Sequence, residues 1–181
     1  RPVIQGNTFW QGLKQMSEIH GSSSISSASK KPDAKPEYYV GIGASAGGLE
    51  AIESFFQNAG AKSGLAYIVV QHLSPDYKSL MVELLSKKTN MPVFRAEDGM
   101  RVDADRVYLI PPKKNLTIFH GRLILKDQDH SRGINLPIDI FLRSLAEDQG
   151  ANAIAIILSG TGSDGMRGIR AVKESGGMVM V

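Results

Sequence analysis

Short apolar runs without charged residues recur along the chain, and each is followed by a loop and then by a segment with helical spacing. The three clearest runs are Tyr38–Val40, Leu65–Val70 and Ala153–Leu158. Uncharged runs of this kind are typical of strands that are buried on both faces of a sheet. Their alternation with amphipathic segments predicts an α/β fold, a three-layer, doubly wound and mostly parallel sheet of the Rossmann-like type.

Two runs in the middle of the chain break this alternation. Leu116–His120 and Arg122–Lys126 lie on either side of a single glycine. Two β-prone runs joined through a glycine turn are typical of a β-hairpin. The sequence therefore predicts one hairpin inserted into the parallel sheet.

Residues 1–36 differ in composition from the rest of the chain. Gly21–Glu37 is rich in serine, lysine and proline, which is typical of a linker. We predict a flexible N-terminal tail over residues 1–36 and one domain over residues 37–181. A domain of that size can bury about 68–70% of its unfolded surface, which is enough for a real core.

Composition excludes several classes of function. The net charge of +3 is modest and no long basic run is present, so nucleic acid is not an expected partner. The chain has no cysteine, which excludes disulfides and thiolate metal sites. No apolar run approaches the roughly 20 residues of a membrane helix and no signal sequence is evident, so we expect no membrane insertion and a cytoplasmic protein.

The glycine-rich turn after the first run contains the first candidate for chemistry. Gly43, Ser45 and Gly47 have the G-x-S-x-G spacing of a nucleophile elbow, in which a serine hydroxyl projects from a sharp strand-to-helix turn. Gly41, Gly43 and Ala46 also fit the dinucleotide-binding pattern G-x-G-x-x-A. A turn that needs glycine only for packing is the third interpretation, and this stretch alone leaves all three open.

Two further loops follow buried strands and carry titratable side chains. His72 comes directly after Leu65–Val70 and Gln71, where it could be a hydrogen-bonding residue or the base that accepts a serine proton. Asp164 follows Ala153–Leu158, where it could be the N-cap of a helix starting near Met166 or the third member of a triad. Functional groups gather at the carboxyl ends of parallel strands, so these loops are expected to converge with Ser45.

The competing kinds of site fit the sequence less well. A dinucleotide site needs an acid at the end of the second strand, where this chain has Gln71 and His72. The first glycine loop has no lysine, which disfavours a phosphate-binding P-loop, and no histidine pair has metal-ligand spacing. The order serine, histidine, aspartate also differs from that of the α/β-hydrolases, so a triad here would be of another kind.

Three motifs together resemble those of a known family. GIGASAGG, VVQHLSPD and ILSGTGSDG resemble the C-terminal catalytic domain of the chemotaxis receptor methylesterases (CheB type), and EDGMRVDADRVYLIPPKKNL and LPIDIFLRSLAE resemble its intervening segments. The resemblance runs from about Tyr38 to Val181, with the motifs in the same order. It implies hydrolysis of γ-glutamyl methyl esters to glutamate and methanol.

The resemblance also implies roles for individual residues. Ser45 would be the nucleophile, His72 the base and Asp164 the carboxylate that orients the histidine. Residues in the positions of Ala46 and Thr161 line the same site in the family, and their backbone N–H groups are candidates for the oxyanion hole. The expected lining residues are Ala46, Gly47, Thr161 and Gly162. No metal or organic cofactor is implied.

The implied partners are methylated chemoreceptor signalling helices. Residues 1–36 are too few for the receiver domain of the free-standing enzymes, so a fused or associated receptor methyltransferase is the expected arrangement. The alternative function is a non-catalytic regulatory module of the same fold. Thr161 stands where the family often has methionine and Pro112 where it often has glycine. Family members continue beyond Val181, so we expect the domain to be truncated at its C-terminal end.

Overall fold

The computed structural model describes residues 34–45, 48–71, 80–129, 134–159 and 163–181. Its strands are β1 (Tyr38–Ala44), β2 (Leu65–Gln71), β3 (Val93–Arg95), β4 (Arg106–Leu109), β5 (Lys114–Phe119), β6 (Arg122–Asp127), β7 (Ala153–Ser159) and β8 (Met178–Met180). Its helices are α1 (Leu49–Asn58), α2 (Met81–Ser86), α3 (Pro137–Gln149) and α4 (Met166–Glu174).

Six strands form one sheet in the order β3-β4-β2-β1-β7-β8. Every neighbouring pair in this sheet is parallel. The sheet grows from β1 towards β2 on one side and towards β7 on the other, so β1 is a central strand. Each of its neighbours is buried along most of its length, as the uncharged sequence of these runs predicts. The predicted doubly wound α/β fold is confirmed.

The predicted hairpin is also confirmed, as a separate two-stranded antiparallel sheet of β5 and β6. His120 and Gly121 connect the strands with positive φ angles of 48° and 69°. Positive φ at both central residues is typical of the type I′ turn that suits a two-residue hairpin. Both turn N–H groups donate to the carboxylate of Asp148 in the last turn of α3.

The glycines of β1 allow α3 to lie directly against the sheet. A Cβ atom on Gly41 would lie 2.7 Å from Leu142 Cδ2, and one on Gly43 would lie 2.6 Å from Ile138 Cγ2. Both distances are too short for real side chains, so the helix occupies the space that side chains would fill. Gly41 and Gly43 therefore serve packing, which removes the basis for a dinucleotide interpretation of these two positions.

The opposite face of the sheet is covered by α1. Ile52, Phe55 and Phe56 are buried at helical spacing, as the sequence predicts. The rings of Phe55 and Phe56 meet the ring of Tyr67 edge-on, with centroids 5.9 and 5.6 Å apart. This arrangement is the favoured one for aromatic pairs and fixes α1 over β2.

The expectations about the two ends of the domain stay predictions. Residues 1–33 lie outside the described residues, so neither the predicted tail nor its boundary is tested. Near the other end of the sequence, the short strand β8 pairs with β7. Within the described ranges, no helix is long and apolar enough to cross a membrane.

Replacing Gly41 by alanine should destabilise the domain. The added Cβ would press on Leu142, Leu145 and Phe141, at 2.7, 3.0 and 3.0 Å. Overpacking of this kind lowers the free energy of unfolding by about 1–3 kcal/mol. Gly60→Ala is the matched control, because a Cβ there meets nothing within 4 Å. Urea unfolding measures both variants, and equal stability of the two would contradict the packing role of Gly41.

Alkaline pH should weaken the fold through its buried tyrosines. Burial raises the pKa of Tyr67 above its ordinary value of 10.0, with a smaller upward contribution from Asp105. A raised pKa in the folded state means that the stability is fully present below pH 10 and is lost as the pH rises through the folded-state value.

The free energy of unfolding measured by urea between pH 9 and 11.5 should therefore fall less steeply with pH in Tyr67→Phe than in the wild type. Tyr38→Phe, at a half-buried position at the start of β1, serves as the control. The same slope in wild type and Tyr67→Phe would contradict the assignment.

Candidate active site

Ser45 lies directly after β1, where the chain turns towards α1. Its N–H donates to the carbonyl of Ser159 at 3.1 Å, and its carbonyl accepts the N–H of Gly48 at 2.9 Å. The strand therefore reaches the helix within a few residues, which is the strand–turn–helix context that a nucleophile elbow requires. Ala46 and Gly47 lie outside the described residues.

Gly48 is the N-cap of α1, and only glycine fits there. A Cβ at Gly48 would lie 2.5 Å from Ser159 Oγ and 2.6 Å from Ala44 Cβ. Among the described residues, no side chain caps this end of α1. The positive end of the helix thus lies three residues from Ser45. Because the N-cap residue is a glycine, it places no carboxylate there, and this end of the helix can stabilise an oxyanion at the turn.

The sheet brings the ends of three strands together at this edge. Ala44 is in register with Gln71 of β2 on one side and with Ser159 of β7 on the other. The direction of strand progression reverses between β1 and β7, which is the switch point where ligands bind in such sheets. His72 follows Gln71 in the sequence but, like Thr161 and Gly162, lies outside the described residues.

Asp164 lies in the loop after β7 and is half-buried. Its Oδ1 accepts the N–H of Asp139 at 2.8 Å, and its Oδ2 accepts the N–H of Ile138 at 3.1 Å. Both donors belong to the first turn of α3, whose N-cap residue Leu136 offers no side-chain cap. The first helical residue, Pro137, has no N–H, so Asp164 satisfies the free donors that remain before the helix bonds to itself.

Of the two roles that the sequence left open for Asp164, the N-cap of the helix at Met166 is therefore not observed. Gly165, with a φ of 100°, is the N-cap of α4, and no side chain caps that helix from this position. The left-handed turn at Gly165 directs Asp164 towards the neighbouring helix instead. The carboxylate is held in one orientation by two donors at the positive end of α3, which attracts a negative charge.

Two polar residues beside Ser45 were not among the predicted site residues. Gln71 is 4% exposed, and its Nε2 lies 3.5 Å from the Ser45 carbonyl, at the limit of a hydrogen bond. Within the described ranges, Gln71 Oε1 and Ser159 Oγ are buried without a hydrogen-bond partner. Unpartnered buried oxygens are uncommon and mark a place where a ligand or another group can bind. A polar residue that ends an otherwise apolar buried strand was the available signal.

A third overlooked residue is Asp139, which is 5% exposed in the first turn of α3. Its Oδ1 accepts the N–H of Gly168 in α4 at 2.8 Å. The signal in the sequence was an acid within the apolar segment LPIDIF. No three metal-binding side chains cluster within the part of the chain that the structure describes. The chemistry that the described groups support is that of a serine hydroxyl beside a helix end and an oriented carboxylate.

Comparison with known proteins agrees with this chemistry. The family model described as CheB methylesterase matches residues 40–181. The crystal structure of the Thermotoga maritima CheB methylesterase catalytic domain superposes with a TM-score of 0.70 at 30% identity, covering 78% of this chain and 77% of that one.

Two similar proteins match this chain over different shares of their own length. A protein-glutamate methylesterase/protein-glutamine glutaminase of Paramagnetospirillum magneticum is 33% identical over 142 residues, which is 78% of this chain and 40% of that protein. An uncharacterised 104.1 kDa protein of Rhodobacter capsulatus is 46% identical over 100 residues, which is 55% of this chain and 10% of that protein. The chain thus spans less than half the length of these relatives.

Asp164→Ala should destabilise the domain, because Ile138 and Asp139 lose the acceptor of their N–H groups. The loss of a helix cap lowers the free energy of unfolding by about 0.5–2 kcal/mol. Ser163→Ala, at the exposed preceding position, is the control and should change it by less than about 0.5 kcal/mol. Chemical denaturation distinguishes the two, and an Asp164→Ala variant as stable as the control would show that the cap adds nothing.

Proposed function

The chain belongs to the CheB methylesterase family, and from this premise we propose that it is a serine esterase that hydrolyses γ-glutamyl methyl esters on chemoreceptors. The observation that carries the proposal is the position of Ser45 at the end of the central strand. There it occupies a strand–turn–helix elbow at the switch point of the sheet, next to the strand whose following loop holds Asp164.

The proposed reaction uses three residues in the roles of a catalytic triad. Ser45 Oγ attacks the ester carbonyl carbon while His72 accepts the hydroxyl proton. Asp164 orients the histidine and stabilises the imidazolium that forms. Breaking the bond between the carbonyl carbon and the methoxy oxygen leaves an acyl-enzyme, and the methoxy group takes the proton from His72 and departs as methanol.

Water completes the cycle in the proposed mechanism. His72 removes a proton from a water molecule whose oxygen attacks the acyl carbon, and Ser45 Oγ leaves with the proton returned by the imidazolium. The products are a glutamate side chain on the receptor and free enzyme. No metal or organic cofactor takes part in any of these steps.

Backbone donors would stabilise the negative oxygen of the tetrahedral intermediates. We assign this role to the N–H groups of Ala46 and Thr161, with Gly47 and Gly162 lining the same site. The uncapped positive end of α1 supports the assignment, since it lies at the same turn as Ser45. Removing one such donor typically costs about 10²–10³ in kcat.

The substrate and partners follow from the family. We propose methylated chemoreceptor signalling helices as the substrate, in the cytoplasm, and a fused or associated receptor methyltransferase as a partner. The 104.1 kDa relative supports the occurrence of such a domain within a longer chain, because the matched segment is one-tenth of that protein. The name of the Paramagnetospirillum relative includes glutaminase activity. The same nucleophile could attack a glutamine amide and release ammonia, so deamidation is a second proposed reaction.

The decisive experiment is methanol release from methylated chemoreceptor. The wild-type chain should release methanol, and Ser45→Ala should lower the rate by at least about 10³-fold because the attacking oxygen is gone. Ser54→Ala is the matched control, since Ser54 is exposed on α1 beyond the elbow and should leave the rate unchanged. Ammonia release from a receptor that carries glutamine at the same position measures deamidation in parallel.

The same assay distinguishes the alternative function. A non-catalytic regulatory module would show equal background methanol release from wild type and Ser45→Ala, together with binding of the receptor by both. That result would overturn the esterase proposal.

A further inference from the structure

Two aspartates link the first turns of α3 and α4, and each accepts backbone hydrogen bonds from the opposite helix. Asp164, from the loop that enters α4, accepts the N–H groups of Ile138 and Asp139 in α3. Asp139, in α3, accepts the N–H of Gly168 in the first turn of α4 at 2.8 Å. Each helix thus has a free N-terminal donor satisfied by a carboxylate that belongs to the other helix or to its entry loop.

Asp139 is placed in a way that stability alone does not explain. The side chain is 5% exposed, and its Oδ2 has no hydrogen-bond partner within the described residues. Burying a carboxylate costs free energy when one of its oxygens has no hydrogen-bond partner. Asp139 also lines a cavity of about 360 Å³ together with Arg143 and Arg167, two exposed arginines. A polar group kept in such a place points to a role in function.

Close packing transmits the position of α4 to the site. A Cβ at Gly168 would lie 2.5 Å from Leu142 Cβ, so the backbone of α4 at Gly168 packs directly against the Leu142 side chain of α3. A Cβ at Gly43 would lie 2.6 Å from Ile138 Cγ2, and one at Gly165 would lie 3.2 Å from the same atom. Ile138 therefore lies between the strand end that precedes Ser45 and the loop that holds Asp164. Because Asp164 directly precedes the N-cap of α4, a shift of α4 relative to α3 would strain the two hydrogen bonds that hold the Asp164 carboxylate on α3.

We propose that Asp139 is a positioning residue for the esterase reaction. By accepting the N–H of Gly168, it fixes the first turn of α4 against α3, and so fixes the carboxylate of Asp164 relative to Ser45. Asp139 touches neither the substrate nor the reacting atoms in this account. The inference rests on the proposed function, since it assigns a role to Asp139 through the proposed triad residue Asp164.

The test compares Asp139→Ala with Asp139→Asn in methanol release from methylated chemoreceptor. Alanine removes the acceptor for the N–H of Gly168. Asparagine keeps Oδ1 and replaces Oδ2, which has no hydrogen-bond partner within the described residues, by an amide nitrogen. Asp139→Ala should lower kcat by about 10–100-fold with KM unchanged, because misplaced catalytic groups slow the chemistry without weakening binding. Asp139→Asn should restore kcat to within about threefold of the wild type, since it rebuilds the hydrogen bond.

Asp148→Ala is the matched control on the same helix. Asp148 caps the hairpin turn with its carboxylate at the other end of α3, where it accepts the N–H groups of His120 and Gly121. Its loss should lower the melting temperature but leave kcat per folded molecule unchanged. Circular dichroism gives the folded fraction by which every rate is divided. If Asp139→Ala does not fold, Asp139→Glu serves instead, because the longer side chain displaces the acceptor and should also lower kcat.

Three results would overturn the inference while leaving the proposed function intact. The first is a kcat for Asp139→Ala equal to that of Asp148→Ala, which would make the role purely structural. The second is a raised KM at unchanged kcat, which would mean that Asp139 binds substrate. The third is an Asp139→Asn variant as slow as Asp139→Ala, which would assign the effect to charge. A wild-type chain no faster than Ser45→Ala would overturn the proposed function, and the inference with it.

Discussion

The contact between α3 and the central strand β1 is the constraint on which the rest of the structure depends. Because Gly41 and Gly43 have no side chains, α3 approaches β1 closely enough for Leu142 and Ile138 to occupy the vacated space. That approach fixes the height of the first turn of α3 above the end of β1. The hairpin is tied to the last turn of the same helix through Asp148, so one helix packs on the central strand at its start and holds the hairpin turn at its end.

The chemistry of the site is built on that contact through hydrogen bonds of the backbone. The free N–H groups at the start of α3 hold the Asp164 carboxylate, and the Ser45 N–H is bound to the neighbouring strand. Both groups are therefore oriented by regular secondary structure rather than by long flexible side chains. A site held in this way is preorganised, which is what a reaction that develops charge in the transition state requires.

Much of the fold could be predicted from the sequence because hydrophobic periodicity reports burial directly. The runs at β1, β2 and β7, and the glycine between β5 and β6, were sufficient for the parallel sheet and the hairpin. The glycine stretch was harder, since packing and ligand approach both require a missing Cβ. Only the contacts of Gly41 and Gly43 with α3 distinguish the two.

The candidate site could be predicted only in part, for a related reason. Ser45 and Asp164 have a recognisable spacing and family motif, but their catalytic roles stay predictions. The same holds for the proposed roles of His72, Ala46, Gly47, Thr161 and Gly162. The sequence does not show which helix Asp164 caps, because N-cap rules assign a capping residue to the helix that directly follows it. The partner is α3, more than twenty residues earlier in the chain. Asp139 was missed because its acceptor role depends on the same long-range contact.

The pairing of β1 with β7 also has a consequence for how the protein is made. Tyr39 is in register with Ala153, more than one hundred residues later in the chain. During synthesis β1 therefore has one side open until β7 has left the ribosome, and contacts of such long separation form late and slowly. The elbow at Ser45 is bonded to Ser159 of that same strand. A nascent chain thus carries the serine long before its surroundings exist, and the surroundings of Ser45 become complete only after β7 has been synthesised.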